Sequence, residues 1–283
     1  MSAGLYDAAF STLGDIYGSQ SRSAITSLTL FGGFASTICW PLSAFLEAHL
    51  GWRGACAAYA GFQLFVALPI YVLLVPREPP QSSRPPQQIS PRSLAPAKLG
   101  APRHGLLALL AATITLASVI STTLSVHLLS ILQAKGYALA AAVGLGALVG
   151  PSQVAARTIE MLIARFHQPI WTHIVSVSLV AAGLAALWFG REVIVLALAL
   201  YGAGLGLESI ARGTLPLAIF GPERYPVIMG RIAMPSLIAQ AAAPSIGAAL
   251  LEAAGLDGAL RIFAAVAVCN VLLAMSLFLL LRK

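Results

Sequence analysis

Residues 105–132 read GLLALLAATITLASVISTTLSVHLLSIL. No Asp, Glu, Lys or Arg interrupts them. They outrun the roughly 20 apolar residues that carry a helix across a bilayer. Directly before them, residues 76–104 read PREPPQSSRPPQQISPRSLAPAKLGAPRH. Prolines at 76, 79, 80, 85, 86, 91, 96 and 102, with Ser and Gln between, cannot bury an apolar face, so this segment reads as an extended linker. A basic, proline-rich linker running straight into a charge-free apolar run decides the fold class. The chain reads as an all-α, polytopic membrane helix bundle.

Working outward from that run gives about nine candidate spans. Three precede the linker: Ser2–Gly18, Ala24–Ala48 and Trp52–Val75. Six follow: Gly105–Leu132, Leu139–Ile163, Ile170–Phe189, Val193–Leu215, Pro226–Leu251 and Ala259–Leu281. The domain reading is therefore residues 1–75, the linker 76–104, and a six-helix half at 105–283. Composition agrees. Hydrophobic residues make up 58% and charged residues 10% of the chain, against about 25% charged in soluble domains. So few charges cannot cover a soluble surface. The spans show no alternating strand pattern of the kind an outer-membrane barrel requires.

The net charge of +7 suggests topology rather than nucleic acid. The linker holds Arg77, Arg84, Arg92, Lys98 and Arg103 against Glu78 alone. The positive-inside rule makes it cytoplasmic. Alternation then puts Arg22, Arg165, the Pro222–Pro226 turn and Arg282-Lys283 on the same side. Arg53, Lys135, Arg191 and Arg261 fall opposite. The expectation is a multi-pass protein of the plasma (inner) membrane with a cytoplasmic carboxyl terminus. Met1–Asp7 has no basic start and carries an acid, so no cleaved signal is expected. Cys39, Cys56 and Cys269 lie in apolar stretches without CxxC spacing and read as small hydrophobes.

A charge at mid-membrane costs at least ~2.5–3.5 kcal/mol, so each one asks for a partner or a purpose. Asp7 in the first span is either a proton or cation site or an interface residue. Arg157 and Glu160, three apart, share a helix face and can pair, with Gln153 one turn earlier. They read as a cavity site or as a gating salt bridge. Glu208 and Arg212 form an i,i+4 pair that fixes packing or meets substrate. Gly202, Gly204 and Gly206 before them permit close helix approach. Gln240 lies between Pro235 and Pro244 and is a polar contact on a proline-interrupted helix. Arg231 reads as snorkelling to the interface. Thr115, Ser118, Thr122 and Ser125 form one hydroxyl stripe, either lining a path or bonding back to their own helix. His127 beyond them reads as a polar anchor or a proton relay.

A spaced series precedes the linker: Tyr17-Gly18, Arg22, Ala24, Gly32-Gly33, Pro41, Gly51-Trp52-Arg53-Gly54 and Gly61. With six spans after a basic linker, the chain resembles the major facilitator superfamily, and within it the monocarboxylate and oxalate/formate branches. The resemblance sets residues 1–75 beside the fourth to sixth of that family's twelve helices, which leaves the first three outside this sequence. The family's charged signature loop is echoed only by Gly150, Pro151, Arg157, Glu160 and Arg165. The resemblance implies alternating access around a midplane site. It implies a small organic anion as substrate, such as a monocarboxylate, held by a basic residue in the eighth helix that is paired with an acid. Proton or ion coupling follows from it too.

The alternative expectation is a non-transporting protein of the same fold, acting through a partner or as a sensor. An enzyme is not expected, because HExxH, GxGD, GxSG and GxxxxGK[ST] patterns are absent. No cofactor, metal or nucleic acid is expected, and lipid is the surrounding partner.

Overall fold

The computed structural model describes residues 21–74, 104–189, 192–221 and 224–282. The first expected span, Asp7 within it, and the proline-rich linker up to Arg103 lie outside the described residues. Every regular element among the described residues is helical. Six helices there are long and apolar enough to cross a membrane.

By compactness the chain divides into two units, Ile38–His104 and the remainder, which includes Gly105–Lys283. In the first part of the chain, α1 (Ser21–Phe62) breaks at Gly51, whose φ of 67° and ψ of 173° are not helical. A residue with a Cβ is strained at that φ. Gly51 therefore turns one helix into the next, with Trp52-Arg53 opening the second. Across the turn the Ser43 and Tyr59 hydroxyls lie 2.7 Å apart. A single π-turn, Gln63–Ala67, follows and leads into α2 (Leu68–Leu74). Pro69 has no N–H and crowds the carbonyl four residues back, which accounts for the widened turn just before it.

The second unit carries the site. α3 (His104–Ala134) is the apolar run that decided the fold. α4 (Leu139–Ala147) and α5 (Val149–Ile163) form one expected span, interrupted at Leu148. Pro151 cannot donate to the Ala147 carbonyl, and the break falls there. A short 3₁₀ turn, Ala164–Phe166, ends it. α6 is Pro169–Phe189, with proline at the first helical position, where no donor is missed.

α7 (Ile194–Phe220) runs through Pro216 and ends five residues later than the expected Leu215. Glu208 accordingly sits near the middle of its helix. α8 (Tyr225–Arg282) covers both of the last expected spans. The loop expected between Leu251 and Ala259 is helical except at Gly255, where φ is 66°. Each arm on either side of Gly255 is long enough to cross by itself.

Two apolar clusters hold this unit together. One joins Leu124, Leu184, Leu198, Leu260 and Phe263 from α3, α6, α7 and α8. The other joins Leu110, Ile174, Leu215, Ile232 and Leu277 from the same helices. Between helices in lipid, such side chains are held by van der Waals packing rather than by removal from water. Outside, Ile159, Leu162, Val195, Ile238 and Leu272 are exposed. That outward apolar face suits lipid rather than water.

α6 and the second arm of α8 run antiparallel. Trp171 meets Phe278 at one end, with ring centroids 4.9 Å apart. The Arg261 guanidinium lies 5.1 Å from the Trp188 ring at the other. Aromatic and cationic residues at both ends of a helix pair are the pattern of the two membrane interfaces.

Candidate functional site

Between the two apolar clusters lies a polar layer. α5, α7, α3 and α8 surround a cavity of about 350 Å³ lined by Gln153 and Arg157 from α5 and Glu208, Ser209 and Arg212 from α7. Ser118, Ser121, Thr122 and Ser125 from α3 and Gln240 from α8 complete its polar wall. Eight of the residues expected to carry function meet here: Gln153, Arg157, Glu208, Arg212, Gln240, Ser118, Thr122 and Ser125. Among the described residues, two guanidinium groups and one carboxylate line it.

Arg157 is 4% exposed. Its Nε donates to the Gly206 carbonyl at 3.2 Å and to Ser209 Oγ at 3.0 Å. Its Nη2 donates to Gln153 Oε1 at 3.1 Å. A guanidinium offers several donors in a fixed fork, so these contacts define its plane as well as its place. Glu160, the expected partner of Arg157, is held from α6 and the turn before it. Glu160 accepts from Thr172 Oγ1 at 2.7 Å and lies 3.3 Å from His167 Nε2. It borders a second, apolar cavity of about 640 Å³ between α5, α6 and α7, with Ile159, Trp171, Val175 and Leu207.

Glu208 and Arg212, expected as a pair, both line the cavity, and each also reaches another helix. Arg212 Nη1 donates to Ser118 Oγ at 3.3 Å. Glu208 Oε2 lies 3.0 Å from His173 Nδ1 and accepts from Ser176 Oγ at 2.9 Å. His173 Nε2 in turn lies 2.9 Å from Thr113 Oγ1, which donates to Asn270 Oδ1 at 2.6 Å. A continuous polar chain thus runs from Asn270 on α8 through Thr113 on α3 and His173 on α6 to Glu208 on α7. Thr113, His173, Ser176 and Asn270 are all buried. Buried polar groups of this kind are costly unless bonded, and here each finds a partner on another helix.

Sequence reasoning missed these four residues. His173 and Ser176 sit singly in an apolar helix, and nothing in the sequence tells that α3 and α8 turn Thr113 and Asn270 towards them. The one available signal was a histidine well inside a span, where ionisable groups are rare.

Ser236 and Gln240 extend the polar wall. Ser236 Oγ donates to Ser118 Oγ at 3.1 Å, and Gln240 Nε2 donates to Ser236 Oγ at 2.9 Å. Thr115, expected on the same stripe as Ser118, does not line the cavity. Its buried hydroxyl has no hydrogen-bond partner among the described residues. His127 Nε2 donates to the Pro244 carbonyl at 2.9 Å, which makes it a tie between α3 and α8. Arg231 is exposed.

No model of a known protein family matches the chain, and no curated protein matches it.

Proposed function

We propose that the protein is a secondary transporter of the major facilitator type that moves a small organic anion, in the simplest case a monocarboxylate, by alternating access. The observation that carries this reading is the cavity shared by Arg157 and Arg212. Among the described residues, the buried Arg157 and the half-buried Arg212 line it together with one carboxylate, Glu208, and guanidinium groups so placed hold a substrate carboxylate by charge-assisted hydrogen bonds. Its volume of about 350 Å³ lies at the small end of ligand pockets, which span roughly 300–1,000 Å³. The walls come from separate helices. A rocking motion of those helices would open the site to alternate sides while the contacts on each helix persist.

The membrane topology belongs to the same proposal: nine spans, in a plasma membrane, with the Arg165 turn and the carboxyl terminus in the cytoplasm. The antiparallel packing of α6 and the last arm of α8 supports it, because it brings Arg165 and Arg282 to one end of the bundle and Arg261 to the other.

The test is flux. The full chain, reconstituted in sealed lipid vesicles preloaded with oxalate, lactate or pyruvate, is expected to exchange labelled anion faster than protein-free vesicles. If a folded preparation passes none of these anions, the transport reading is wrong and the cavity is a binding site alone.

A further inference from the structure

The hydrogens along the buried chain can be counted. Thr113 has one hydroxyl proton and donates it to Asn270 Oδ1 at 2.6 Å. A carbonyl oxygen has no proton to give back. The Thr113 oxygen is therefore the acceptor in its 2.9 Å contact with His173 Nε2, and Nε2 carries a hydrogen. On a neutral imidazole that leaves Nδ1 bare. Yet Nδ1 lies 3.0 Å from Glu208 Oε2. A bare ring nitrogen and an ionised carboxylate are both acceptors, and at that distance they repel. The contact closes only when one further proton lies between them, either on Nδ1 as an imidazolium or on Oε2 as a carboxylic acid.

Ser176 is placed to serve both arrangements. Its single proton has two acceptors in reach, Glu208 Oε2 at 2.9 Å and the Gly204 carbonyl at 3.0 Å. It can donate to the carboxylate when Glu208 is charged and turn to the carbonyl when Glu208 is protonated. The other carboxylate oxygen, Oε1, is buried without a hydrogen-bond partner among the described residues. Glu208 also lines the cavity, so it joins the polar chain to the solute space.

We propose that His173 and Glu208 form a proton-binding site that holds one exchangeable proton between Nδ1 and Oε2. Among the described residues, the charged groups that share the cavity with it are Arg157 on α5 and Arg212 on α7. α3 and α8 present hydroxyls and amides, Thr113 and Asn270 among them, and Glu160 with His167 belongs to the other cavity. On the transport reading, on which this last step alone rests, the proton is the coupling ion. An anion at the arginines and a proton at the pair offset each other's charge, so the binding of each favours the other.

The test reads the proton directly, without transport. Full-length protein with ¹⁵N-labelled histidine is placed in lipid bilayers, and the His173 signals are assigned by their loss in His173→Gln. The expected result is Nε2 protonated throughout, with the Nδ1 signal changing as the proton shared with Oε2 is removed by raising the pH. In Glu208→Gln the amide donates to Nδ1, so His173 becomes a fixed neutral Nε2–H form that no longer titrates. A wild-type His173 held as the Nδ1–H form with a bare Nε2 at every pH overturns the proposal, and so does a titration that Glu208→Gln leaves unchanged. A titrating His173 in vesicles that pass no anion supports the proton site and removes transport. Anion flux indifferent to a pH gradient, with a His173 that never titrates, overturns the proton site and leaves transport standing.

Discussion

Gly206→Ala lowers the stability of the bundle by about 1–3 kcal/mol, the usual cost of overpacking, and takes anion flux down with it. A Cβ at position 206 would lie 2.6 Å from the Gln153 carbonyl oxygen and 2.9 Å from its Cα. Both are backbone atoms of α5 and cannot swing aside. One turn earlier, a Cβ at Gly202 would meet the Val149 carbonyl at 2.7 Å. The two glycines form a small-xxx-small seam that lets α7 approach α5 backbone to backbone. Gly204, on the opposite face, plays the same part against α6, where a Cβ would meet the Ser176 carbonyl at 2.8 Å.

The seam also fixes the site. The Gly206 carbonyl receives Arg157 Nε, so pushing the helices apart stretches that bond and misplaces the guanidinium. Thermal unfolding in detergent measures the stability part, and vesicle flux measures the rest. Gly144 is the control: nothing lies within 4 Å of a Cβ there, and alanine in a helix is favoured over glycine by about 0.5–1 kcal/mol. Gly144→Ala should hold or raise stability. Equal losses in both variants would mean that the α5–α7 contact is not close.

Arg157→Ala lowers anion flux at subsaturating substrate by on the order of 10²-fold, the scale expected when one partner of a buried, hydrogen-bonded charge pair is removed. The loss has two sources. The substrate carboxylate forfeits a guanidinium donor, and Gln153 Oε1, Ser209 Oγ and the Gly206 carbonyl lose the group that holds them in place. Arg157→Lys restores the charge but not the fork, and should recover only part of the flux. Concentration dependence separates the roles. A residue that binds the anion raises the half-saturating concentration, whereas a purely structural one lowers the amount of active protein at unchanged affinity. Unchanged flux in Arg157→Ala would exclude it from the solute path.

The fold was legible where hydropathy decides it and less so where single residues do. Runs such as Gly105–Leu132 can only be apolar helices, and the described helices cover them. The joints were harder. Gly51 and Gly255 each reverse the backbone in one residue, so the turns are shorter than polar composition suggested around Glu252 and Asp257. Pro216 looked like a terminus, yet α7 continues through it to Phe220, because losing one helical hydrogen bond does not outweigh the packing of Leu215 against its neighbours.

At the site, Arg157, Glu208 and Arg212 were conspicuous because a charge inside an apolar run asks for a partner or a purpose. Their partners were not. Spacing along one helix suggested local ion pairs, and each long side chain also reaches a group on another helix: Thr172 for Glu160, His173 for Glu208, Ser118 for Arg212. Which helix faces which is information that periodicity in one segment does not contain.

The central claim is that the cavity bordered by Arg157, Arg212 and Glu208 is the path of a small anion. Ser125 lines that cavity and is exposed, which makes it a probe. In a chain whose exposed cysteines Cys39, Cys56 and Cys269 are replaced by alanine, Ser125→Cys is treated in membranes with a charged thiol reagent. The account predicts that the thiol reacts and that the carboxylate carried in vesicles slows the reaction in a saturable way. A thiol that stays unreactive, or one that reacts at the same rate whatever carboxylate is present, would contradict it.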